Sequence, residues 1–253
     1  MRFAGTSLAV MTLLCGAVAV DAQTESDSPL SEATKKTSKL NSYTFTMLIE
    51  VEGSPMPMDP FEFEGKHSGN VTFLTGEVMG QEVEMYKEGD TIVGMNDEGD
   101  WEASPSVGMG GGASGMMNAP HQELGKLDGK LDDVKKLKER DDLDGKACDV
   151  YTGTLSSDNA KEMLGNPAMA MMDADISGTI KLWVAESGII LKIALNIDIA
   201  MDFQGNEMEM TVVRTTTLSK LGKTKIDIPD EVREIFTEEA DSDDSEKKGD
   251  EDY

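Results

Sequence analysis

The sequence predicts a mainly β protein with a few helices (α+β), built on one long, curved antiparallel sheet. Three observations carry this. From Leu191 to Phe203, the residues Leu191, Ile193, Leu195, Ile197, Ile199, Met201 and Phe203 take every second position, with Lys192, Ala194, Asn196, Asp198, Ala200 and Asp202 between them. Such alternation fits a strand with one apolar and one wet face, and fits no helix. The flanking segments share that face. A loop at Gly205-Asn206 sets Phe203 against Met208, Met201 against Met210 and Ile199 against Val212, and a turn at Ser187-Gly188 sets Val184 against Leu191, Leu182 against Ile193 and Ile180 against Leu195. Third, turn residues punctuate Phe61 to Trp101 at the short spacing of an antiparallel meander. At ~3.3 Å per residue the central strand spans ~43 Å, about twice the usual length, so its sheet has to bend.

Taken in order, residues 1–22 read as a secretory signal peptide. Arg2 precedes the mostly apolar Phe3 to Leu14, and Val20-Asp21-Ala22 offers a small-residue cleavage site before Gln23. Cys15 suggests a lipoprotein signal, but Leu13-Leu14 stand where small residues belong, so ordinary cleavage is expected and the product is secreted or periplasmic. Residues 23–41 form a leader and a short helix: Ser28-Pro29 supply the N-cap and first helical residue, and Leu30, Ala33, Thr37 and Leu40 share a face. The main domain is expected over 42–236. Tyr43, Phe45, Met47, Ile49 and Val51 alternate with polar residues, and Gly53 to Pro60 is a loop. The meander that follows turns at Met79-Gly80, Glu88-Gly89-Asp90 and Glu98-Gly99-Asp100.

Residues 103–120 hold Gly108, Gly110, Gly111, Gly112 and Gly115 with Met109, Met116 and Met117, a composition that predicts a flexible apolar-tipped lid, and the Gly-Lys-Ser/Thr ending of a phosphate loop is missing. Leu124, Leu127, Leu131 and Val134 recur at three and four and predict an amphipathic helix weakened by Gly125 and Gly129. Asp144-Gly145 turns the chain into a strand over Lys146 to Thr154, Ser156 to Leu164 reads as helix, and a Met-rich run ends near Met172. After the strands over Gly178 to Leu218, Lys225 to Pro229 are extended and Glu231 to Phe236 add a helical turn. Residues 237–253, dominated by Asp and Glu without apolar periodicity, predict a disordered acidic tail.

The net charge of −26 argues against nucleic acid or anionic membrane surfaces as partners. Past the signal peptide only Cys148 remains, so no internal disulfide staples the fold. No later run reaches the roughly 20 apolar residues of a spanning helix, so the mature chain should lack a transmembrane segment.

The order of pieces resembles the LolA-like superfamily, which includes periplasmic lipoprotein carriers and the LppX and LprG lipid-binding proteins. The matching pieces are Asp144 to Tyr151 (Asp-Gly-Lys-x-Cys-x-Val), Thr179 to Ile193 (Leu-Trp-Val, a Gly turn, Leu-Lys-Ile) and Lys223 to Glu231 (Ile-Asp-Ile-Pro-Asp), within a pattern spanning about residues 30–235. The resemblance implies a half-open β-barrel whose helices close one side of a hydrophobic cavity for acyl chains. By the residues alone, a sheet apolar on one side leaves either an ordinary core or a ligand cavity. Lipoprotein carriers grip their ligand with an arginine that Tyr43 to Val51 lacks; Arg214, placed opposite Ile197 on the apolar face, is either a headgroup contact or a side chain snorkelling from the sheet end.

The expected function is thus a monomeric carrier or sensor of a lipid or other lipophilic molecule, without catalysis or cofactor, that passes its cargo to an envelope protein. Its cavity would be lined by Phe45, Met47, Ile49, Leu191, Ile193, Leu195, Ile197, Met201, Phe203, Met208, Met210 and Val212 beneath the lid. His67 and His121, the only histidines, lie near no nucleophile motif and read as solvated. Two alternatives stand beside this reading: a secreted protein-binding or envelope scaffold module with a closed core, and copper binding by the 18 methionines, since thioethers select Cu(I). Methionine also serves as adaptable apolar lining.

Overall fold

The structure is a computed structural model that describes residues 29–54, 58–78, 80–96, 98–103, 117–164, 174–203 and 206–246. Eleven strands form one antiparallel sheet: β1 (Ser42–Glu52), β2 (Phe61–Ser68), β3 (Val71–Val78), β4 (Gln81–Glu88), β5 (Thr91–Met95), β6 (Trp101–Ala103), β7 (Leu131–Leu143), β8 (Lys146–Leu155), β9 (Ala174–Ala185), β10 (Ile190–Phe203) and β11 (Asn206–Ser219). Their order, β6-β5-β4-β3-β2-β1-β11-β10-β9-β8-β7, is two meanders joined where β1 pairs with β11, and the sheet stays open between its edges β6 and β7. Four helices accompany it among the described residues: α1 (Pro29–Thr37), α2 (Pro120–Lys126), α3 (Ser157–Leu164) and α4 (Asp230–Glu246). No described helix is long and apolar enough to cross a membrane.

The period-two segments became strands with the expected faces. In β1 the residues Tyr43, Phe45, Met47 and Ile49 are buried, and in β10 Ile193, Leu195, Ile197 and Ile199 are. These point to the same side, because β11 joins them in register: Ile49 pairs with Arg214 and Arg214 with Leu195. Close approach to this face is made possible by Gly65, where an added Cβ would overlap the ring of Phe45. Two clusters fill the inward face. One joins α1, α2 and α3 to β8, β9 and β10 through residues such as Leu30, Leu124 and Met163; the other lies over β1 to β4 and holds Met117. On the outward face, α4 packs Val232 and Phe236 against Val71, Tyr86 and Val93.

Four expectations are corrected. Strands β10 and β11 pair Phe203 with Asn206, Met201 with Met208, Ile199 with Met210 and Ile197 with Val212, which shifts the register by two from the expected pairing. A shift of two keeps every side chain on its face, so alternation could not reveal it. Leu191 sits at a β-bulge between Ile190 and Lys192, and Ile190 takes its place opposite Val184. Leu191 is thereby turned into an outward cluster with Cys148, Val150, Trp183 and Ile189, and leaves the inward lining.

The helix expected through Val134 stops at Lys126. Gly129, at φ +73°, turns the chain, and Leu131 to Val134 enter the edge strand β7. The spacing of three that imitated a helix belongs to a strand whose pairing with β8 slips between Asp132 and Lys135 and again between Lys136 and Arg140. Finally, the single helical turn expected after Pro229 is α4, which continues through Glu246 and takes in residues 237–246 of the expected acidic tail. Residues 1–28 and 247–253, with the signal peptide and the rest of the tail, lie outside the described residues.

Candidate ligand-binding face

The inward face divides by what covers it. Ile193, Leu195 and Ile197 lie in the cluster closed by α1, α2 and α3, where they are at most 5% exposed. Thr37 of α1 pins that cover to the sheet: its Oγ1 accepts the backbone N–H of Ile190 at 2.9 Å and donates to the Ala33 carbonyl at 2.7 Å. Phe45, Met47 and Ile49 are buried in the second cluster. Towards the β10–β11 turn the cover thins. Val51, Phe61, Met201, Met208, Met210 and Val212 are only half-buried, and Val212 packs against both clusters. A cleft of about 430 Å³ at the same end of the sheet is lined mainly by Asp175, Ser177, Asp198, Ala200, Glu209 and Thr211, whose parity places it on the outward face, so it is not part of this strip.

Of the twelve expected lining residues, the structure therefore brings Met201, Met208, Met210 and Val212 together as an accessible apolar strip. It places Phe45, Met47, Ile49, Ile193, Leu195 and Ile197 in packed core and Leu191 on the other face. Of the expected lid, Met117 is fully buried with Tyr43, Phe45 and Leu74. Met109, Met116 and the side chain of Phe203 lie outside the described residues.

Two polar constellations on the inward face escaped the sequence reading. Arg214 stands between Leu195 and Ile49, not opposite Ile197, and does not snorkel outward. Its two terminal nitrogens donate to the two carboxylate oxygens of Glu123 on α2, at 3.2 and 2.8 Å, with the side chains only 11% and 13% exposed. Burial pushes the Glu123 carboxyl up, and the guanidinium beside it opposes that shift. Such a bidentate pair aligns α2 across β11.

Beside it, β1, β2 and β3 align Tyr43, His67 and Thr72 in one row. The Tyr43 hydroxyl oxygen accepts the backbone N–H of His121 at 3.3 Å and its hydrogen is then free to donate to His121 Nδ1 at 2.7 Å. His67 Nδ1 meets Thr72 Oγ1 at 3.1 Å, and the two imidazole centroids are 4.4 Å apart. Both histidines, expected as solvated, are buried at 2% and 8% exposure. Burial first, and then the neighbouring His67, push His121 down to about 4; burial also lowers His67 and raises the Tyr43 phenol. The signals that existed were modest: the chain has only two histidines, and Arg214 is a charged residue on an otherwise apolar face. Among the described residues no group of three or more His, Cys, Asp or Glu converges.

No protein-family model matches the chain, and no curated protein matches it. Its fold is similar to that of LprF from Mycobacterium bovis, with 16% identity, 80% of this chain and 95% of that chain covered, and a TM-score of 0.50. The Mycobacterium tuberculosis lipoprotein LppX, at 14% identity, matches 79% of this chain and 96% of its own, with a TM-score of 0.48. A LolA superfamily protein from Nitrosomonas europaea, also 14% identical, is covered to 94% at a TM-score of 0.35.

Proposed function

Starting from a fold similar to that of LprF, we propose that this chain is a secreted or periplasmic, monomeric and non-catalytic carrier or sensor of a lipophilic ligand. The observation that carries the reading is the half-buried strip of Met201, Met208, Met210 and Val212, at the end of an inward face whose remaining apolar residues are buried, those over β8 to β10 beneath α1, α2 and α3. Methionine suits such a surface because its unbranched thioether adapts to ligands of different shape. Transferring about ten methylenes from water onto it contributes on the order of 8 kcal/mol, and ordering costs of several kcal/mol leave micromolar binding. The acidic exterior keeps the loaded protein soluble and off anionic surfaces until an envelope partner receives the cargo.

The test is titration of the delipidated protein with a fluorescent fatty acid. Met208→Asp and Met210→Asp put charge into the strip without emptying the packed core, and should each weaken binding about ten- to hundredfold, as expected for losing one buried apolar side chain. Thr46→Asn, on the outer face, should leave it unchanged. Equal affinity in all four proteins, or no uptake by any, would refute the carrier.

A second reading draws on the buried state of Leu195 and Ile197, which the protein's own helices already cover. It makes the inward face a closed core and the chain a protein-binding or scaffold module. Absence of co-purifying lipid in native mass spectrometry, together with no fatty-acid uptake, would favour it.

A further inference from the structure

We propose that His67 and His121 form an acid-sensitive latch that holds α2 against the sheet at neutral pH and lets it lift when both imidazoles take up protons. As regulation of ligand access, the proposal rests on the carrier reading; as a movement of α2, it does not.

The geometry carries the argument. Helix α2 has seven residues and crosses the inward face where the strand row Tyr43, His67, Thr72 and Lys87 runs beneath it. Its hold on that row is His121, which contacts Tyr43 through both its backbone N–H and its Nδ1 and packs its ring 4.4 Å from that of His67. The contact works only with a neutral imidazole. A proton on Nδ1 would aim a second N–H at a Tyr43 oxygen that already accepts one, and would leave the hydroxyl hydrogen without its acceptor. A proton on each ring would put two cations face to face inside a buried site, which is costly at that separation.

The surrounding charges do not neutralise this. From β11 comes Arg214, from β4 Lys87, whose Nζ donates to Asn118 Oδ1 at 3.0 Å, and from α2 itself Lys126 and Glu123. Glu123 is committed to Arg214. Tyr43 from β1 is uncharged throughout the acid range. Beyond the end of α2, Asp128 is held by Ser31 and Lys35 of α1 at 2.7 and 3.5 Å, and Lys126 reaches Glu162 of α3 at 3.9 Å. Those contacts fix the C-terminal side of α2, so opening would pivot there and draw the N-terminal side, with Met117, out of the second cluster.

The signs agree. A histidine whose closed-state pKa lies below its ordinary 6.5 stabilises the closed form fully above 6.5, and that stabilisation fades as pH falls towards about 4 for His121. Glu123 acts oppositely. Burial raises its pKa, so it gains a proton more readily when closed and resists opening. The release on acidification therefore belongs to the histidines.

Native-state hydrogen exchange on the full, ligand-free chain tests this. Corrected for intrinsic rates, the amides of residues 117–124 should exchange on the order of 50-fold faster relative to closure at pH 4.5 than at pH 7.5, while those of β10 keep their protection. Each of His67→Gln and His121→Gln should shrink that pH dependence, His121→Gln the more, and the double variant should abolish it. If His121→Gln does not fold, His67→Gln with Thr72 intact still decides. Protection of α2 that is independent of pH, or lost equally across β10, or pH dependence that survives both substitutions, overturns the latch. A fluorescent fatty acid gives the second arm: affinity that follows the exchange ties the latch to the ligand, whereas opening without any uptake at either pH keeps the latch and removes the carrier reading.

Discussion

Removing Glu123 should harm this protein more than removing the whole Glu123–Arg214 pair. Glu123→Leu leaves a guanidinium that cannot lose its proton stranded between Leu195 and Ile49, at a site where both partners are nearly buried. Breaking a buried pair in this way typically costs about 3–5 kcal/mol, which for a domain of this size lowers Tm by roughly 6–20 °C. Arg214→Met strands a carboxyl that can protonate, and burial already favours that neutral form. Its cost should therefore shrink as pH is lowered from 7.5 to 5, and the cost of Glu123→Leu should not. The double variant Glu123→Leu/Arg214→Met exchanges two charges for apolar side chains of similar reach and should return to within about 1 kcal/mol of the parent or exceed it. Urea unfolding of the four proteins at both pH values closes the cycle. Single variants that each cost below about 1 kcal/mol would show that the pair behaves as a solvated surface pair. A double variant as unstable as the sum of the singles would show that the two side chains contribute independently, with no coupling between them.

Two further outcomes follow from the packing of the sheet. Gly65→Ala puts a methyl where the Phe45 ring lies, and as overpacking it should cost about 1–3 kcal/mol, read as a lower urea midpoint; Gly65→Ala with Phe45→Leu should recover part of the loss. Thr37→Val preserves shape but strips the acceptor from the Ile190 amide at the β-bulge. A loss of about 1–3 kcal/mol is expected, with faster exchange of that amide, and an unchanged amide would show that the Thr37 bond is dispensable.

What the sequence determined by itself is the local periodicity and therefore the faces. Alternation over β1, and over β10 from Ile193 to Ile199, assigned inward and outward residues correctly because side-chain direction in a regular strand depends only on parity. Pro29 and Gly145 marked element boundaries for equally local reasons: proline suits a first helical turn, and Gly145 sits at φ +76°. The order of the pieces also carried the LolA-like resemblance, and the open sheet is similar in fold to LprF.

Tertiary structure decided whatever parity and spacing leave degenerate. A register shift of two residues at the β10–β11 turn alters partners without altering faces, so Arg214 met Leu195 and Ile49 only once the strands had paired. The bulge at Leu191 reversed one side chain, and the apolar spacing of three at Leu131 and Val134, which local pattern assigns to a helix, fell in the irregularly paired β7. The two inward polar constellations are the clearest case. Glu123 meets Arg214 across 91 residues and His121 meets Tyr43 across 78, and no local signal joins them. They exist because α2 is laid over the sheet by the burial of Leu124 and Leu127, and a polar group carried into that interior is stable only where it finds a partner.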